Sequence, residues 1–169
     1  RLLMLSTHNI LNPKDGRPVT IPTQDMVLGC YYLTLDKKGA PGEGKAFRDY
    51  EEAIMAYQSG AVSLHARIKV RKPDGEIIET TVGRIIFNEV VPDELGFLNE
   101  VMDKKRLVQL VDDCFRKLGY SATVAMLDGI KDLGFHYATQ AGITIGISDI
   151  VIPPEKDEIL KEADRQVEA

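Results

Sequence analysis

Two short stretches hold the residue types that could do chemistry. The first is the hydroxyl- and amide-rich run Ser6-Thr7-His8-Asn9-Ile10-Leu11-Asn12-Pro13, and the second is Thr23-Gln24-Asp25 at the head of an apolar segment. The local reading of the second is helix capping, with Asp25 accepting backbone N–H bonds and complementing the helix dipole; a ligand role is the alternative. The basic residues Arg67, Lys69 and Arg71 alternate with apolar ones, and Lys72 follows directly. They suit phosphate, but a charged strand face is more commonly the solvated side of a sheet. His65 and His136 have no carboxylate or cysteine at ligand spacing and read as surface or interface residues. Cys30 and Cys114 stand apart with no paired spacing, which points to two reduced, buried thiols. No Ser/His/Asp set or metal constellation is visible, so the sequence offers neither catalytic residues nor metal ligands.

The elements that must position these groups follow from patterning. Asp15-Gly16-Arg17-Pro18 is a turn, and Val19 to Ile21 is a short extended piece. Thr23 or its neighbour caps a helix through Met26, Val27, Tyr31 and Leu33, with a strand as the alternative. Lys37 to Gly44 is a Gly/Pro-rich loop. Arg48 to Ser59 is a helix closed by Gly60. Leu64 to Val70 alternates as a half-buried strand. Pro73-Asp74-Gly75 turns it, and Ile78 to Val82 returns as the second arm of a hairpin. Ile85 to Val91 reads as a further strand. Lys104 to Leu118 is a helix with one apolar stripe, closed by Gly119. A second helix runs from about Thr123 to Gln140, with Leu127, Ile130, Leu133 and Tyr137 as its packing face. The segment 142–152 reads as extended, with Gly142 and Gly146 there for close backbone approach. From Pro154 a final helix carries Ile159, Leu160, Ala163 and Val167 on one stripe. The class is α+β: helices on a small antiparallel sheet or hairpin, ending in a helix that begins a truncated coiled coil.

Composition narrows the function classes. Of 169 residues, 44% are apolar and 28% charged, which describes an ordinary globular chain. The formal net charge of −5 argues against a general nucleic-acid-coating surface. It divides unevenly, +4 over residues 1–72 and −9 over 73–169, so polyanion contacts are expected on the first half. No apolar run suggests a membrane span and no secretion signal is visible, so the expected location is cytoplasmic. Arg1 leads straight into Leu2-Leu3-Met4-Leu5 with no cap, and nothing stops the last helix before Ala169; a piece cut within elements is expected.

Three runs carry a resemblance that spans essentially the whole chain. They are residues 6–13 continuing into Ile21-Pro22-Thr23-Gln24-Asp25-Met26-Val27-Leu28-Gly29, then Thr80-Thr81-Val82-Gly83-Arg84, then Gly142-Ile143-Thr144-Ile145-Gly146-Ile147-Ser148-Asp149-Ile150-Val151-Ile152-Pro153. In this order they resemble the beta-prime subunit of bacterial RNA polymerase, just downstream of its magnesium-binding aspartate loop. The resemblance implies a pore domain over 1–153, the wall of the secondary channel through which nucleotides enter, and over 154–169 the start of the rim helix where transcript-cleavage factors dock. It implies DNA-templated transcription in the assembled enzyme, with magnesium held outside these residues and no catalysis by this chain alone. Implied partners are the beta, alpha, omega and sigma subunits, template DNA and transcript RNA; an independent docking module for accessory factors is the rival.

The same resemblance implies roles residue by residue. Gln24 and Asp25 lie under the active centre, where an amide donor holds a triphosphate or an RNA 3′ end without adding charge. His8 and Asn9 follow the same logic, although many relatives carry two Asn there and His8 removes one neutral amide. For Arg84, a structural salt bridge and a ligand role both stand open. One branch of the family binds the alarmone guanosine tetraphosphate where beta-prime meets omega, partly through Lys, Ile, Asp and Tyr. The matching positions here are Ser121, Ala125, Asp128 and Asp132. Only Asp128 is retained, which implies an absent or crippled pocket.

Overall fold

The hairpin forms where alternation and turn chemistry agree. In this computed structural model, which describes residues 5 and 9–168, β2 (Arg67–Arg71) and β3 (Ile77–Thr81) pair antiparallel in the register Arg67↔Thr81 to Arg71↔Ile77. Ile68 and Val70 turn inward, while Lys69 and Arg71 are exposed. A two-residue strand, β1 (Ala46–Phe47), adds in parallel to β2, so the sheet is mixed rather than purely antiparallel. So short a strand leaves no periodicity to read.

Helix α1 spans Asp25–Thr34, and the strand alternative for this segment falls. α2 (Tyr50–Gln58) begins on Asp49, whose carboxylate accepts the Glu52 N–H at 2.9 Å, and Gly60 follows it at φ 75°. α4 (Lys104–Leu118) is capped by Asp103 and ended by Gly119; α5 (Tyr120–Ala141) follows at once. Thr123, Met126, Ile130, Gly134 and Tyr137 are the buried residues of α5, with Leu127 and Leu133 half-buried at their edge.

The expected strand at Ile85–Val91 is instead helix α3 (Val82–Asn88). The Thr81 hydroxyl accepts the Arg84 N–H at 3.3 Å and starts the helix. Burial then outweighs the β-preference of its Val and Ile residues. Val82 and Ile85 enter the core under the sheet, with Ala53, Ile68 and Val70. Phe87 enters the helical core of Cys30, Leu33, Leu107, Val111, Met126 and Ile130. A helix that joins two cores is apolar on several faces, so its sequence reads like a buried strand.

Close backbone approach occurs in α1, not in the segment after α5. A Cβ on Gly29 would lie 1.8 Å from the Gly134 carbonyl oxygen of α5, and one on Gly83 would lie 1.8 Å from the Leu33 carbonyl oxygen. Helix α1 is thus held from both sides at van der Waals distance from other backbones. Gly142 has open space around it and serves as a left-handed cap of α5 at φ 59°, and Gly146 meets only two side chains of its own turn. The expected role of those two glycines does not hold. Residues 142–152, expected to be extended, are interrupted by a single helical turn, Ile147–Asp149, with extended backbone at Gly146 and Ile150 on either side of it. Every residue from 142 to 167 is exposed, including Ile145 (83%), Ile147 (92%) and, in α6 (Lys156–Glu168), Ile159, Leu160 and Val167.

Candidate functional site

The approach to α1 is a loop tied by backbone bonds. Val19 N donates to Ile10 O at 2.8 Å, Asn12 N to Arg17 O at 2.8 Å, and Leu11 faces Pro18 as an isolated bridge. Ile10, Pro18 and Pro22 are buried and anchor this loop. Asn9 is exposed and donates from Nδ2 to the Leu5 carbonyl at 3.0 Å. His8 lies outside the described residues.

Gln24 is where the sequence and the backbone disagree. Its φ of 47° and ψ of −118° match the first central position of a type II′ turn, and Met26 N closes that turn on Thr23 O at 3.1 Å. This position favours glycine. Gln24 is the one non-glycine residue with positive φ among the described residues. A strained residue persists only where its surroundings over-determine it, at a cost of about 1–3 kcal/mol. The glycine crossings of α1 supply that determination a few residues on.

The hydrogen-bonding part of the capping expectation fails at the same place, whereas Asp25 does stand in the first turn, where its charge complements the helix dipole. Neither Thr23, Gln24 nor Asp25 caps α1 through its side chain, because the helix is entered from the turn. All three side chains are exposed, and Gln24 and Asp25 make no side-chain hydrogen bond or ion pair among the described residues. The turn therefore displays an amide and a carboxylate side by side with their hydrogen-bonding capacity unused. The amide offers two donors and an acceptor without charge.

The far end of α1 is fixed by a polar network that sequence reasoning found only in part. Arg84 donates from Nε to the Thr34 carbonyl at 3.0 Å and from Nη1 to Asn99 Oδ1 at 3.2 Å, and lies 3.7 Å from Asp36. Arg67 grips Asp36 through Nε at 2.7 Å and through a second bond from Nη2. That grip holds the Asp36 carboxyl below its usual range, while burial pulls the Arg84 guanidinium below its own. The Thr34 hydroxyl donates to Cys30 O at 2.8 Å and accepts from Met102 N at 2.9 Å. Of the two readings open for Arg84, the structural one describes these contacts. The network was out of reach from sequence because its members lie up to 68 residues apart.

The remaining candidates fall into place singly. Lys72 is taken up by Asp74 and Glu76, and Lys69 and Arg71 point to solvent. His65 is half-buried, donating from Nε2 to the Tyr32 carbonyl at 2.7 Å with its ring edge-on to Tyr32, so it is a packing residue rather than a surface one. Cys30 and Cys114 are free and buried, and burial pushes the Cys30 thiol up to about 12. Ser121, Ala125, Asp128 and Asp132 share an exposed face of α5, where Lys131 contacts both Asp128 and Asp132 at 3.4 Å. Among the described residues no three of His, Cys, Asp and Glu cluster to hold a metal ion, and no helix is long and apolar enough to cross a membrane.

Known proteins are similar to this chain over 99% of its length. Residues 9–150 match a family described as RNA polymerase Rpb1, domain 3. The chain is 71% identical over 168 residues to the DNA-directed RNA polymerase subunit beta' of Pelotomaculum thermopropionicum, covering 99% of itself and 14% of that protein. It is 66% identical to the same subunit of Desulforudis audaxviator, covering 99% of itself and 15% of the relative. With that of Desulforamulus reducens the identity is 60%, covering 99% and 14%. The chain thus spans only 14–15% of the length of these curated relatives.

Proposed function

We propose that this chain, which belongs to the RNA polymerase Rpb1 domain 3 family, walls the nucleotide-entry channel of a bacterial DNA-directed RNA polymerase and presents Gln24 to the substrate or the RNA 3′ end. The observation that carries this reading is the turn at Gln24. An exposed, unpaired amide stands on a backbone conformation that favours glycine, at the head of a helix immobilised by glycine contacts on two sides. An amide so placed donates to triphosphate or to the terminal ribose without adding a charge that would trap the ligand. Asp25 beside it accepts from hydroxyl donors such as those of a ribose. The resemblance gives Asn9 and His8 the same kind of role.

In this reading the chain contributes to DNA-templated nucleotidyl transfer without performing it. Bound magnesium stabilises the attacking and leaving oxygens in such chemistry, and an aspartate loop outside this chain supplies its ligands. Residues 1–153 form the pore domain and 154–169 start the rim helix. The exposed apolar residues of α6 and of 143–152 suit covering by neighbouring parts of the enzyme and docking of transcript-cleavage factors. Beta, alpha, omega and sigma subunits, template DNA and nascent RNA complete the cytoplasmic assembly. The rival, an independent docking module, gives no reason for a strained, solvent-facing Gln24.

A photoreactive side chain at position 24 of the assembled polymerase tests the placement. It should label the 3′-terminal nucleotide of the RNA in backtracked complexes, whereas one at Arg71 should not. Labelling from position 71 and not from 24 refutes it.

A further inference from the structure

A second feature lies apart from Gln24. A groove of about 600 Å³ opens between the start of α2, the β2–β3 turn and the loop after α3, and none of residues 9–25 lines it. Its floor is apolar. The rings of Tyr50 and Phe97 stack at 16° with centroids 5.6 Å apart, beside Ile85 and Val91. Its rim is acidic. Glu51 comes from α2, Glu89 from the end of α3 and Asp93 from the helical turn Asp93–Leu95, and none of these carboxylates has an ion pair or side-chain hydrogen bond among the described residues. The one cation in the lining, Lys72, is already engaged by Asp74 and Glu76.

We propose that this groove receives a segment of a protein partner carrying apolar side chains flanked by Lys or Arg. The volume is that of a pocket that buries a few side chains, and aromatic walls are where binding energy concentrates. Three unpaired carboxylates from three elements surround the floor, so a matching ligand carries more than one positive charge, spaced around an apolar centre. A flexible polypeptide meets that requirement. Nucleic acid does not, because its phosphates meet an uncompensated acidic rim. The charges steer and orient the segment, and the Tyr50–Phe97 floor holds it.

Nuclear magnetic resonance titration of the isotopically labelled 169-residue chain tests this. The probes are the blocked peptides acetyl-Lys-Leu-Phe-Lys-amide and acetyl-Glu-Leu-Phe-Glu-amide, n-butylammonium, and a single-stranded RNA oligonucleotide. The lysine peptide should shift the resonances of Tyr50, Ile85 and Phe97. It should bind about tenfold tighter than the glutamate peptide in low salt, a preference that shrinks in about 0.5 M salt. The double variant Glu51→Gln, Glu89→Gln should lose most of that preference and retain the native spectrum elsewhere; because both side chains are exposed, the fold does not depend on them. Equal binding of the two peptides, or no shift up to about 5 mM lysine peptide, overturns the proposal. So do shifts outside the groove, binding of RNA there, butylammonium binding as tightly as the peptide, or self-association of the chain through this face.

Discussion

Gly29→Ala is the sharpest perturbation of the frame that holds Gln24. The new methyl carbon would start 1.8 Å from Gly134 O, 2.7 Å from Gly134 C and 2.9 Å from Ala138 N, where ordinary contact begins at 3.4 Å. All three atoms belong to the backbone of α5, so no side-chain rotation relieves the clash and the helices must separate by more than an ångström. Overpacking costs about 1–3 kcal/mol even where side chains yield. With nothing flexible to yield, the upper end, about 3 kcal/mol, applies. Alanine's better helix propensity returns about 1 kcal/mol. The net loss is about 2 kcal/mol, or about thirtyfold in the folding equilibrium, and on this chain length it lowers the melting temperature by about 4–8 °C. Urea denaturation of the chain followed by circular dichroism measures it, with Ser121→Ala on the exposed face of α5 as a control expected within about 0.5 kcal/mol. A Gly29→Ala variant as stable as that control would refute the close crossing of α1 and α5.

Three further outcomes follow from the same geometry. Gln24→Gly relieves the positive-φ strain of about 1–3 kcal/mol at an entropic cost of about 0.5–1 kcal/mol, so the urea midpoint should rise; a fall would contradict the turn at Gln24. Asp36 is held below its usual titration range mainly by Arg67, so its contribution to stability is complete above about pH 4 and lost as pH falls further. Asp36→Asn should therefore flatten the acid limb of a stability–pH curve, and an unchanged limb below about pH 4 would remove that contribution from the account. Titration of an omega-containing assembled polymerase with guanosine tetraphosphate should show no micromolar site on the α5 face. Micromolar binding that disappears in Asp128→Ala would show that a pocket survives despite Ser121, Ala125 and Asp132.

What could be read from the sequence was local. Helix α4 emerged with both ends correct because its apolar stripe and Gly119 are nearest-neighbour signals. The hairpin and α2 followed for similar reasons, from alternation, a Pro-Asp-Gly turn and Gly60. Helix α3 was misread because its residues serve two cores, and burial on several faces erases the helical period. The glycines show the same limit. Gly142 and Gly146 stood out by spacing, whereas the crossings occur at Gly29 and Gly83, whose neighbours are distant in sequence. At the candidate site, the sequence names residues but not their conformation. Gln24 and Asp25 read as a cap, and only the backbone shows that the turn frees both side chains.

The central claim is that Gln24 touches nucleotide or RNA, and the rate of single-nucleotide addition by the assembled polymerase tests it most directly. Gln24→Ala deletes an amide hydrogen bond to a charged group, worth about 1.5–3 kcal/mol, and should slow addition or alter recovery from backtracking by about ten- to a hundredfold. Arg71→Ala, on an exposed strand position, should change either by no more than about twofold. Equal effects of the two substitutions would contradict the placement of Gln24 at the channel.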